Sequence, residues 1–216
     1  MSVKINPKNS VILVLFQLSL TTCLFSMDTA SLESATGSLF QTVRSGDEET
    51  ARRLLGGDVD QRVFLMIAAT NGHADIVDAL IHSYNVDPNF YGADERDLLM
   101  QAALFGHVEV VKTLLKSSKV EPYILTRVNA NGETALKLAI TQRHTEIVEE
   151  ILKRIAWDFR INNKQNLLGE ALKLAVSIGY SEAVEKILKH NEMDVHILSE
   201  ALALAKKIYA GSYNRK

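Results

Sequence analysis

Three histidines, His73, His107 and His144, hold equivalent places in a series of similar segments, so the sequence first invites a metal site or an acid–base relay. The segments are IAATNGHADIVDALI (67–81), QAALFGHVEVVKTLL (101–115) and LAITQRHTEIVEEIL (138–152). Where such segments stack as packed helices, equivalent positions lie ~8–10 Å apart. Zinc draws its nitrogen ligands to ~2.0–2.1 Å from a single point. One ion therefore cannot bridge the column, and these residues read as histidines bonding locally at a helix junction. His82, His190 and His196 show no ligand spacing.

Other chemistry is equally thin. The chain has one cysteine, Cys23, which excludes an internal disulfide and a cysteine-ligated zinc. No G-x-S-x-G, P-loop or G-x-G-x-x-G occurs, so neither a nucleophile elbow nor a phosphate cradle is expected. Glu149 and Glu150 are neighbours on a helix, where adjacent side chains diverge by roughly 100° and share no proton. Trp157 and Phe159 read as core filler beneath a long loop, and Met66 and Met100 read as core. The expectation is a protein without catalytic residues, metal, cofactor or small-molecule substrate.

The elements that would position these residues are repeated. A fourth segment, LAVSIGYSEAVEKIL (174–188), and a degenerate first one, LFQTVRSGDEETARRLL (39–55), bring the series to five. Their turns fall at Gly46, Gly72, Gly106, Arg143 and Gly179, at intervals of 26, 34, 37 and 36 residues. Each segment predicts a short apolar helix, a turn and a second helix with apolar residues at i, i+1, i+4 and i+5, as in Val110, Val111, Leu114 and Leu115. Ala102, Ala103, Ala139, Ala171 and Ala175 line the first helices and let neighbouring units approach closely. One such pair buries too little to stand alone, so the units must stack. Ile197 to Ile208 predicts a closing helix with a polar outer face, followed by a tail at 209–216.

The first 26 residues are a separate object. Lys4 and Lys8 precede an apolar run, VILVLFQLSL, at Val11–Leu20, which is the layout of a secretory signal peptide. The uncharged stretch is shorter than the ~20 apolar residues of a spanning helix. Leu20-Thr21-Thr22-Cys23 also resembles a bacterial lipoprotein box, departing from it at Thr22. Export is expected, with membrane contact confined to residues 1–26 if they stay uncleaved or become lipidated. Residues 27–38 read as a spacer. With 216 residues, 47% hydrophobic content and a net charge of −2, the chain is a globular domain or short solenoid, with no electrostatic footprint for nucleic acid.

The repeated residues resemble the ankyrin repeat family. NANGETALKLAITQRHTEIVEEIL (129–152) carries Asn131-Gly132 at the family's hairpin turn and Thr134-Ala135-Leu136-Lys137 where the family has Thr-Pro-Leu-His. Gly72-His73 and Gly106-His107 match its Gly-His junction, and Val59-Asp60, Val86-Asp87, Val120-Glu121 and Asp194-Val195 resemble the ends of its units. The resemblance covers about residues 39–196, and with the closing helix the repeat domain is expected over 39–208. It implies an all-α helix-turn-helix solenoid of about five repeats with short hairpin loops and a C-terminal capping helix. It also implies a non-catalytic module gripping an unknown protein partner on its concave face. Carried over unit by unit, that face comprises Arg62, Thr70 and Asn71; Asp94, Arg96, Leu104 and Phe105; Asn131, Glu133, Thr141 and Gln142; and Ser177 and Ile178. Leu104-Phe105 beside Arg96 has the composition of a binding anchor. The alternative is a membrane- or lipid-tethered structural or inhibitory surface protein.

No unit keeps the Pro-His of the first-helix motif, which implies a looser stack. Arg143 occupies a turn held elsewhere by glycine, a placement that costs about 1 kcal/mol if its backbone is left-handed. On the sequence alone, Arg143→Gly is therefore expected to leave the melting temperature unchanged or raise it.

Overall fold

Helix pairs follow one another in the order the spacing predicts. The structure is a computed structural model that describes residues 61–213 apart from 93, 162 and 191–193. The expected first segment (39–55), the apolar leader (1–26) and the spacer (27–38) lie outside the described residues. The pairs are α1 (Gln61–Asn71) with α2 (Ala74–His82), α3 (Leu98–Phe105) with α4 (Val108–Lys116), α5 (Ala135–Thr141) with α6 (Thr145–Trp157), and α7 (Lys164–Ser177) with α8 (Ser181–His190). A closing helix, α9 (Val195–Tyr213), follows. A 3-10 turn at Pro122–Leu125 takes up the residues that lengthen the interval from Gly106 to Arg143. Among the described residues there is no strand, and the fold is all-α.

First helices pack on first helices, from α1 through α3, α5 and α7 to α9, and second helices on second helices, from α2 through α4 and α6 to α8. One apolar cluster runs through the whole stack. Its turns share a single geometry. The residue closing each first helix has positive φ: 81° at Gly72, 82° at Gly106, 60° at Arg143 and 65° at Gly179. The next N–H then reaches back to an alanine carbonyl: His73 to Ala68, His107 to Ala102, His144 to Ala139 and Tyr180 to Ala175, all at 2.9–3.0 Å. This bond satisfies a helix-end carbonyl that would otherwise be orphaned. Each of those alanines is fully buried.

Two of the junction histidines, His107 and His144, do not bond locally, as the sequence suggests, but reach into the preceding unit. His107 Nε2 donates to the Thr70 carbonyl at 2.7 Å, and His144 Nε2 to the Leu104 carbonyl at 3.3 Å. Each ring lies across the glycine turn of that unit. A Cβ built on Gly72 would stand 2.6 Å from His107 Nδ1, and one on Gly106 2.7 Å from His144 Cε1. Glycine is needed twice over, for its φ and for the ring above it. These bonds supply an inter-unit tie in a stack that lacks the first-helix histidine. At the third junction Tyr180 replaces histidine; its hydroxyl bonds Thr145 Oγ1 instead. Arg143 then has room for a side chain, which donates from Nη2 to the Ile178 carbonyl at 3.0 Å and lies 5.0 Å from the Tyr180 ring centre.

Two other expectations need correction. Trp157 and Phe159 are not core: each is 89% exposed. The closing helix begins at Val195 and runs to Tyr213, through part of the expected tail. Its outer face is not purely polar, because Val195, Leu198, Leu202 and Ile208 are exposed. Ile197 anchors its inner face, lying 3.1 Å from where a Cβ on Gly169 would sit.

The cap of α3 carries a cost. Asp97 stands where the next unit has Thr134, and both accept from a backbone N–H three residues on, Met100 at 2.8 Å and Lys137 at 3.2 Å. Asp97 is buried, and its Oδ2 has no hydrogen-bond partner. Burial raises its pKa from 3.8 to about 7, against the lowering effect of the Met100 N–H and of Arg127. The folded state therefore holds the proton more tightly than the unfolded chain. Stabilisation from Asp97 is complete below its ordinary pKa and is lost as pH rises through 7.

Outcomes at three positions are expected. Gly106→Ala should destabilise by about 2 kcal/mol or more, since it combines left-handed backbone with a clash against His144, and denaturant titration would measure this. Arg143→Gly should fall within about 1 kcal/mol of the parent, because relief at φ 60° is offset by loss of the Ile178 and Tyr180 contacts, whereas Arg143→Ala keeps the strain and lowers stability. Asp97→Thr should stabilise by ~1–3 kcal/mol at pH 8, and the gain should shrink as the melt is repeated towards pH 4.

Candidate functional site

Two hairpin turns project from the stack between second and first helices. In the first, Gly92 N–H donates to the Arg96 carbonyl at 2.9 Å, and Asp94 receives both the Arg96 backbone N–H and its guanidinium, each at 3.1 Å. In the second, the buried Asn129 carboxamide accepts from the N–H groups of Asn131 and Glu133 at 2.9 Å, with Gly132 at φ 72°. Asn131-Gly132 therefore forms the turn its spacing predicts. The Asn129 side chain that builds it was not anticipated.

The structure places the expected contact residues unevenly. Arg62, Asn71, Asn131, Thr141, Gln142 and Ser177 are exposed, while Asp94, Arg96, Glu133 and Ile178 are half-buried. Thr70 is buried, and its hydroxyl donates to the Met66 carbonyl at 2.8 Å, so it supports α1 rather than facing outward. Asn71, Thr141 and Ser177 likewise turn a polar group back to a carbonyl of their own helix. Such bonds satisfy the last turn of a short helix. Leu104 and Phe105 are half-buried rather than standing out. Leu104 packs against the core, and the Phe105 ring lies 6.3 Å from that of His107. They do not form the exposed pair that an anchor would need.

Asn131, Glu133, Thr141 and Ser177 come together around one groove of about 390 Å³, floored by Leu174 and Leu204. Charge runs across it. Lys137 lies 3.6 Å from Glu170, Glu170 lies 3.6 Å from Lys173, and Lys173 lies 2.7 Å from Glu200. The Lys173–Glu200 contact holds the lysine pKa up and the Glu200 pKa down. This ladder spans α5, α7 and α9 and was not singled out in the sequence, because its links between helices join residues 27 to 33 apart. A second groove of about 470 Å³ lies beside it, with Tyr123, Val128 and Arg160 among its walls. Above that region Arg127 stacks on Tyr91 at 3.7 Å and approaches Tyr123 at 5.9 Å, both tyrosines being exposed. Only proximity in space reveals this cluster. Among the described residues no group of three or more His, Cys, Asp or Glu is placed to hold a metal.

A family model described as ankyrin repeats (three copies) matches residues 39–124 and 99–199. No curated protein sequence matches the chain. Ankyrin repeats are generally protein–protein interaction modules and are typically non-enzymatic. The match spans well over half of the sequence and follows the helix pairs and glycine turns described above, and the chain belongs to the ankyrin repeat family.

Proposed function

We propose that the protein is an exported, non-catalytic module that grips a protein partner along the concave face of its stack. The groove between α5, α7 and α9 carries this reading. It offers an apolar floor, a hairpin tip at Asn131 and a row of alternating charges in one place. A partner segment with complementary charge can exchange into that row, and such exchange sets register more than affinity. Affinity then rests on a few side chains reaching Leu174 and Leu204, not on total area. Export is supported by the basic, apolar and small-residue layout of residues 1–26. Leu20-Thr21-Thr22-Cys23 favours a second reading, in which the same module is tethered to a membrane through that segment or through lipid on Cys23.

Site-specific photo-crosslinking in the full chain tests the face. A photoreactive residue at Thr141 or Ser177 should give one discrete protein adduct, while the same group at exposed Lys116 on the opposite row should give none. Equal labelling from both rows, or no adduct from the groove, would remove the proposal. Fractionation of the same cells separates the two readings, because detergent-dependent recovery favours the tether.

A further inference from the structure

The turn that closes α6 has a construction unrelated to the concave groove. Trp157 and Phe159 are each 89% exposed, and Asp158 between them is buried. The Asp158 carboxylate is clamped. Its Oδ1 accepts from the backbone N–H and Nε of Arg160 at 3.1 and 3.0 Å, and its Oδ2 from Arg160 Nη2 at 2.9 Å. Arg154 adds a contact at 3.4 Å from the preceding helical turn. Buried Ile161 donates its N–H to the Asp158 carbonyl at 3.3 Å. With residues 158 and 161 fixed inward, the rings at 157 and 159 are held outward. Little ordering remains to be done when they meet a partner.

The surroundings are cationic. From residue 153 to 164 the chain carries Lys153, Arg154, Arg160 and Lys164 against Asp158 alone, within a protein of net charge −2. Glu149 and Glu150, one turn back, are already paired with Lys153, and Glu149 also with Lys186. Glu121 acts on Arg160 as well, so five cations (Lys153, Arg154, Arg160, Lys164, Lys186) face four carboxylates (Glu121, Glu149, Glu150, Asp158), and the rings protrude from an edge with a small positive excess. Neither groove described above is lined by Trp157 or Phe159, so the feature is a knob and not a cleft.

We propose that this turn is a peripheral docking point for an anionic lipid surface. Indole and phenyl rings settle at the boundary between headgroups and acyl chains, and a fluid interface needs no pocket shaped to receive them. Cations set behind the rings then meet lipid phosphates, and attraction to an anionic leaflet adds to burial of the rings. No helix among the described residues is long and apolar enough to cross a membrane. It is distinct from any tether through residues 1–26 and independent of the concave groove.

Trp157 is the sole tryptophan of the chain, so its fluorescence reports this turn directly. The full chain would be titrated with vesicles of phosphatidylcholine alone and with vesicles containing phosphatidylglycerol. The anionic vesicles should shift Trp157 emission to the blue and shield it from acrylamide, with a steep loss of the effect as salt is raised. Phe159→Ser should weaken that response about tenfold while leaving the melting temperature in place, because the ring is exposed. Unchanged Trp157 emission with either vesicle would overturn the proposal, even if the protein sediments with lipid through another segment. So would an equal response to both lipids that ignores Phe159→Ser, a lower melting temperature for that variant, or an emission change produced only by a protein partner.

Discussion

The first two helix pairs described are each locked by the histidine ring of the pair that follows. His107 and His144 cover a glycine turn and donate to a carbonyl at the end of the helix below, so a turn and its lock belong to different units. No unit can complete this arrangement by itself. The continuous apolar cluster depends on it, because the approach between first helices is set where the buried alanines and the glycine turns meet. Stability in such a stack is a sum of intrinsic unit terms and nearest-neighbour terms. The junction bonds are the directional part of the neighbour term, and they tie units that lack the usual first-helix histidine. The loops between units add to it: the Asn89 side chain donates to the Lys119 carbonyl at 2.7 Å and accepts from the Glu121 N–H at 2.8 Å.

Periodicity made the scaffold legible. Glycine or arginine at a fixed offset after an alanine-lined helix gave the turn positions, and all four described turns have positive φ. The hairpin at Asn131-Gly132 was legible from local turn chemistry. The destination of a side chain leaving its own unit was not. The carbonyl that His107 reaches is 37 residues away, and nothing in the heptapeptide around it names that atom. Trp157 and Phe159 were misplaced for another reason. Apolar residues usually lie inside, but the rule runs only one way, and here a buried, doubly paired Asp158 decides which neighbours face out. The closing helix shows the same limit, since a stripe at helical spacing does not reveal whether a following element will cover it.

The positions of the expected contact residues were partly legible. Spacing located the hairpin tips and the ends of first helices, and four of the expected residues meet around one groove. Thr70 and Asn71, and the groove residues Thr141 and Ser177 too, spend polar groups on their own helix, which short helices require and a residue type alone does not announce. The floor of the groove and its row of charges arise from stacking three first helices side by side, so they exist only in the assembled solenoid. The groove proposed for a polypeptide and the rings proposed for a lipid surface belong to different residues on different elements.

The third junction also constrains how this sequence can have changed. Where histidine covers the turn, any Cβ beneath it collides with the ring; where tyrosine stands at 180, Arg143 is accommodated and contributes bonds of its own. A lineage passing from the glycine–histidine pair to the arginine–tyrosine pair by single replacements meets a barrier if arginine arrives first. The open route exchanges the aromatic partner before the turn residue, so the order of two mutations is written in the stereochemistry of one contact.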